Sequence, residues 1–179
     1  MVGSGALAAH SEDTLPKLDA PLRGMDDLLV LFHDAETPRE GWLVGTEAER
    51  IAVGKRDGSR LPYDGPVSVN AIFERLIAQQ GWEAQRETPD GPIIALRRSD
   101  GSITLEPGSQ IELSGAPFRS VHEGKVESDE HWDELQPVID ELGLTWLALG
   151  CHPFASVDEL GWVPKLRYGV MREYMPTRG

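Results

Sequence analysis

Three strand-like runs tied by two very short connections set the strongest limit on how this chain folds. Trp82–Glu87, Ile93–Arg98 and Ser102–Leu113 read as strands, and the Pro89-Asp90-Gly91 and Ser99-Asp100-Gly101 segments between them are hairpin chemistry. A parallel crossover needs about a dozen residues or more, so runs this close in sequence are antiparallel neighbours. Helical periods flank them. Met25, Leu28, Leu29 and Phe32 fall at i, i+3, i+4 and i+7; Val69, Ile72, Phe73, Leu76 and Ile77 repeat the pattern and stop at Gly81. Ser120–Leu142 is an acidic helical stretch with Trp132, Leu135, Ile139 and Leu142 on one side, in which Pro137 is expected to cause a kink or a split before Gly143 ends it. Trp42–Val53 reads as an unusual strand with polar residues on both faces, and the apolar Leu144–Leu149 as a buried strand. A loop over residues 150–164 leads to a closing stretch, Lys165–Pro176. This order lacks the strict alternation of a doubly wound fold, so the expected class is α+β, an antiparallel sheet backed by helices.

With 179 residues, 40% of them hydrophobic, the chain can bury one core; residues 1–20 are expected to be a flexible N-terminus and residues 21–179 the folded domain. The net charge of −13 repels phosphate backbones and anionic lipid, so neither nucleic acid nor membrane is expected as a partner. No apolar run approaches the roughly 20 residues that span a bilayer, and the first residues lack a secretory pattern. Cys151 is the only cysteine, expected to be a small buried residue, and the chain reads as cytoplasmic.

Thr46-Glu47-Ala48-Glu49 places two carboxylates at i and i+2 of a strand, on one face with Cα atoms about 6.6 Å apart. Such a pair suits a hard divalent cation such as Mg2+, which takes oxygen ligands, and equally suits a solvated edge. In Ile103–Ser114, Pro107 and Gly108 interrupt a strand-like pattern as a bulge does, so that Glu106 and Glu112 can face Glu47 and Glu49. Lys165, Arg167 and Arg172 gather cations in an acidic chain, either as a clamp for carboxylate or phosphate or as a surface ion-pair helix. The acids of residues 123–141, among them Glu123, Glu127, Glu130 and Glu134, read as the wet face of a helix. None of His10, His33, His122, His131 and His152 pairs at metal-ligand spacing, and phosphate-loop, dinucleotide and hydrolase-elbow motifs are missing.

Taken in order, Val44-Gly45-Thr46-Glu47-Ala48-Glu49, the block Ile103–Pro117 and the block Pro164–Pro176 closely resemble the plant and proteobacterial type of glutamate-cysteine ligase, in the N-terminal part of its catalytic chain. The loop Gly150-Cys151-His152-Pro153-Phe154 is similar to the G-x-H-P-F loop of related carboxylate-amine ligases. The resemblance implies a glutamine synthetase-like fold whose curved antiparallel sheet forms a cup for ATP, Mg2+ and an amino acid. It implies ATP-dependent ligation of the γ-carboxylate of L-glutamate to L-cysteine through γ-glutamyl phosphate, the first step of glutathione biosynthesis. By position, Glu47, Glu49, Glu106 and Glu112 are the implied magnesium carboxylates; Arg167 and Arg172 are the implied catalytic and substrate-binding residues, with Tyr168 beside them. The family's catalytic chain continues well beyond the equivalent of Gly179, so this sequence is expected to hold an incomplete sheet and to be inactive alone. The acidic helix has no cysteine, so the disulfide control of plant members is expected to be absent. Two other readings stay open: another γ-glutamyl ligase with a different amine, and a non-catalytic acidic module that binds divalent cations or a partner protein through an open sheet, whose unfinished edge favours self-association as a homo-oligomer or pairing with another strand.

Overall fold

The computed structural model describes residues 21–99 and 101–178; the flexible start expected over residues 1–20, His10, Asp100 of the second hairpin and Gly179 lie outside them. The chain divides into one unit ending at Trp42 and another from Leu43 to Gly179. In the first, α1 (Met25–Asp34) forms where the apolar period places it, although Met25, Leu28, Leu29 and Phe32 are all exposed. A single 3-10 turn, Arg39–Gly41, follows, and the Trp42 indole donates to the Thr37 carbonyl at 2.8 Å.

The second unit is a six-stranded antiparallel sheet with helices on one face, the α+β class expected. Its strands are β1 (Glu47–Gly54), β2 (Glu83–Gln85), β3 (Ala95–Arg98), β4 (Gly101–Glu106), β5 (Gln110–Ser114) and β6 (Leu144–Leu147), in spatial order β2-β3-β4-β5-β1-β6. The long strand expected at Ser102–Leu113 is two strands. Pro107-Gly108-Ser109 is not a bulge but a reversal: Gly108 and Ser109 both take positive φ, 79° and 66°, and Glu106 pairs with Gln110 across the turn. The mixed character of β1 also resolves. Glu47–Arg50 pair with β5, while Ile51–Gly54 slide past it and pair with β6, and only this second half is apolar and buried. β6 is an edge strand with Leu144 alone fully buried, in place of the buried strand the sequence suggests.

Two helices cover one face. α2 (Val69–Gln80) starts where Ser68 Oγ accepts from the Ala71 N–H at 3.0 Å and stops at Gly81, whose φ of 73° releases the chain. α3 (Val121–Glu141) opens with a Ser120/Glu123 capping box and runs unbroken through Pro137, so the proline does not split it. Leu135, Val138 and Ile139 of α3 and Ile72, Phe73 and Leu76 of α2 meet Leu96, Ile103, Leu105 and Ile111 of the sheet in one core. Burying a side chain of this size contributes about 1.5–3 kcal/mol. The last helix, α4 (Leu166–Tyr174), forms from the basic closing stretch.

Candidate active site

Register brings the four acids to one side. Glu49 lies directly opposite Glu112, Glu112 opposite Thr104, Glu47 opposite Ser114 and Glu106 opposite Gln110. Cross-strand partners share a face, as do residues two apart, so Glu47, Glu49, Glu106 and Glu112 all rise from the face away from α2 and α3. Their surroundings differ. Glu47 and Glu49 are exposed, Glu106 is half-buried, and Glu112 is 8% exposed and accepts from Ser114 Oγ at 2.6 Å. Among the described residues no cation forms an ion pair with any of the four, and no three His, Cys, Asp or Glu side chains converge as a metal cage. Gln110 Oε1, on the same face, is buried with no hydrogen-bond partner. Around the four acids the face offers oxygen donors, one of them an orphan, with Arg97 of β3 farther along the same face. That set fits Mg2+, which is commonly held by one or two carboxylates with water and phosphate oxygens filling the remaining positions.

α4 docks beside these acids through a backbone carbonyl. β3 begins only at Ala95, so nothing in the ladder continues opposite Leu105, whose carbonyl instead accepts from Lys165 Nζ at 2.6 Å and from the Tyr168 hydroxyl at 3.1 Å. The same hydroxyl lies 3.4 Å from Glu106 Oε2, and the Arg167 guanidinium reaches it at 3.5 Å and lies 5.1 Å from the centre of its ring. The Leu166 N–H at the helix start donates to Glu87 Oε2 at 2.8 Å, a carboxylate where the helix end is positive. Burial lowers the Lys165 ammonium, with Arg167 adding to the effect, while Glu106, Glu112 and Glu87 oppose it. The hydrogen bond to Tyr168 raises Arg167, and burial raises the Tyr168 phenol. Arg167 and Tyr168 are thus brought to the edge of the acidic face. Arg172 is not: its guanidinium lies 5.1 Å from the centre of the Trp162 ring and forms no ion pair with the four acids.

Three features escape a reading by residue type. Glu87 is tied to α4 across 79 residues, which no local pattern signals. Lys165 is buried, although it stands among exposed cations in sequence. Glu127 is not on the wet face of α3: its Oε1 accepts from the Ala116 N–H at 2.9 Å, just after β5, and a Cβ on Gly115 would fall 2.3 Å from its Oε2 and 2.9 Å from Thr46 Oγ1. Thr46, which leads into the acidic half of β1, is wedged there. Cys151, expected to be buried, is exposed. Its neighbour His152 organises the loop, with Nδ1 accepting from the Phe154 and Ala155 N–H groups at 3.2 and 3.0 Å. The Phe154 ring closes on Gly58, where a Cβ would approach it to 2.8 Å.

Comparison with known proteins bears on the same residues. The sequence model of glutamate-cysteine ligase family 2 matches residues 43–179. The chain is 30% identical over 177 residues to the chloroplastic glutamate-cysteine ligase A of Oryza sativa subsp. japonica, covering 99% of this chain and 35% of that protein. It is 34% identical over 155 residues to the chloroplastic glutamate-cysteine ligase of Brassica juncea, covering 86% and 29%, and 32% identical to rice glutamate-cysteine ligase B over 98% and 34%. The chain thus spans about a third of the length of the curated relatives it matches.

Proposed function

Because the chain belongs to glutamate-cysteine ligase family 2, we propose that its acidic sheet face is the metal- and nucleotide-facing part of an ATP-dependent ligase that joins L-glutamate to L-cysteine, the first step of glutathione synthesis. The observation that carries this reading is the placement of Glu49 directly across from Glu112, with Glu47 and Glu106 on the same face and the cationic start of α4 alongside. Like charges so paired disfavour the sheet unless a cation lies between them. In the proposed reaction the γ-carboxylate of glutamate attacks the terminal phosphorus of ATP, ADP departs, and the amine of cysteine displaces phosphate from the γ-glutamyl phosphate with loss of a proton.

Each residue has a task in that scheme. Glu47, Glu49, Glu106 and Glu112 hold Mg2+, with Gln110 Oε1 a further oxygen beside them. The ion supplies charge neutralisation at the phosphate oxygens. Arg167 carries a fixed positive charge, oriented by the Tyr168 ring and hydroxyl, for an incoming carboxylate or phosphoryl group. Lys165 and Tyr168 fasten α4 to β4 at Leu105 and so fix where Arg167 stands relative to Glu106. Arg172, over the Trp162 ring, stands apart from this arrangement.

The test is ATP-dependent phosphate release with Mg2+ and L-glutamate, with and without L-cysteine, on this chain and on the full reading frame. Cysteine-dependent release by the full-length protein supports the ligase. Release with another amine in place of cysteine moves the reading to a different γ-glutamyl ligase, and no release with any amine overturns it in favour of a cation-binding module.

A further inference from the structure

The three strands that carry the four acids meet one carboxylate at a common end, on the far side of the sheet. Glu127 reaches from α3 to the place where β4 begins, β5 ends and β1 starts. Its Oε1 accepts from the Ala116 N–H at 2.9 Å, two residues beyond β5. A Cβ on Gly101, the first residue of β4, would stand 3.4 Å from the same oxygen. Oε2 is turned to Gly115 and to the hydroxyl of Thr46, which precedes β1, so that a Cβ added to Gly115 would meet both. The Gly115 N–H in turn donates to the Thr46 carbonyl at 2.8 Å. Gly124 of α3 lies so near that a Cβ there would come to 3.0 Å from the Thr46 methyl. Three residues without side chains thus give a single carboxylate access to the joint.

Stability does not account for this joint. Glu127 Oε2 and Thr46 Oγ1 are both buried without a hydrogen-bond partner, and a buried polar atom left unmatched costs stability rather than adding to it. What the joint does is fix positions. Thr46 is followed by Glu47, which lies opposite Ser114, and Ser114 donates through its Oγ to Glu112 at 2.6 Å. Successive residues of a strand point to opposite faces, so a side chain clamped beneath the sheet at Thr46 sets the backbone from which Glu47 rises above it.

We propose that Glu127 is a positioning residue for the metal face: by holding the ends of β1, β4 and β5 together from the opposite side, it sets the spacing of Glu47 against Glu112 that Mg2+ requires. It touches no metal itself. The inference rests on the reading of the four acids as magnesium carboxylates. Its signature is selectivity between ions. Mg2+ demands near-octahedral oxygen geometry at about 2.0–2.1 Å, whereas Ca2+ accepts oxygens at about 2.3–2.6 Å in flexible arrangements. Carboxylates left to drift therefore lose Mg2+ before they lose Ca2+, while a simple loss of folded protein weakens both alike.

The experiment loads the natural chain with Mn2+, followed by the loss of its free-ion electron paramagnetic resonance signal, and displaces it with Mg2+ or Ca2+. Glu127→Ala is expected to weaken Mg2+ about tenfold, the lower end of what outer partners of a metal site contribute, and to leave Ca2+ nearly unchanged. Glu127→Gln keeps an acceptor for the Ala116 N–H and brings an amide that donates to the Thr46 oxygens, and is expected to retain the Mg2+ affinity. Unchanged Mg2+ affinity in Glu127→Ala, equal weakening of both ions, or a Glu127→Gln as weak as Glu127→Ala overturns the proposal. Failure of the natural chain to take up Mn2+ overturns the metal reading itself and the proposal with it, and that result is read before any variant. If Glu127→Ala fails to fold, Glu127→Asp, which draws the carboxylate back by one methylene, decides the matter by the same two outcomes, Mg2+ weakened ahead of Ca2+ or not.

Discussion

Two side chains carry most of what can be measured one residue at a time. His131 is buried against Trp132 and held neutral to about pH 4, whereas an unfolded imidazole titrates near pH 6.5. On acidification the unfolded chain takes up this proton first, so stability present above pH 6.5 drains away between pH 6.5 and 4. The expected loss from this one group between pH 7 and pH 5 is about 2 kcal/mol. Urea unfolding at the two pH values checks it: His131→Gln should lose less than the natural chain by about that amount. Glu49 is the second. It faces Glu112 across the β1–β5 pairing, so Glu49→Gln is expected to raise metal-free stability by about 0.2–1 kcal/mol. Added Mg2+ is expected to raise the melting temperature of the natural chain and to leave that of Glu49→Gln unchanged, since a ligand stabilises only what it binds. A metal-induced shift that persists in Glu49→Gln removes that residue from the site.

At the level of elements, the joints rather than the middles decide the structure. The capping box of α3 predicts that Ser120→Ala costs about 1 kcal/mol, read as a drop in the urea midpoint without a change in slope. The contact of β1, β5 and α3 predicts more for Gly115→Ala: the new methyl meets Glu127 Oε2, Thr46 Oγ1 and the Thr46 carbonyl at 2.3, 2.9 and 3.0 Å. Overpacking of this kind costs about 1–3 kcal/mol. α2 and α3 were legible because each carries its own period and its own stop, Gly81 for α2 and Gly143 after α3. The reversal at Pro107-Gly108-Ser109 was not, because a bulge and a tight hairpin use the same residues, and only the pairing of the two flanking segments with each other tells them apart. The depth of β6 was also misread. Apolar content reports that a segment is covered, not that it has a neighbour on both sides.

Across the whole molecule, charge and topology dominate. A net charge of −13 repels itself in the compact state, so the urea midpoint is expected to rise when NaCl is raised from a few millimolar toward physiological ionic strength, where the screening length shortens to about 8 Å. A midpoint that falls with salt would show that attractive pairs such as Arg75–Glu141 outweigh the repulsion. Glu47 and Glu49 were legible as a pair because their i, i+2 spacing survives translation into a strand. The grouping of the four acids followed from strand order, which sequence does not state, whereas the separation of Arg172 from Arg167 follows from their five-residue spacing on α4, about 140° around the helix, which leaves Arg172 over Trp162. The strand order has one more consequence, in time. Glu106 and Glu112 meet through a turn of three residues, a closure of microseconds, whereas Glu47 and Glu49 join them only after some sixty intervening residues have been drawn in, with β1 seated between β5 and β6. The acidic face is therefore complete only once β1 has joined β5, and a departing β1 takes half of its carboxylates with it.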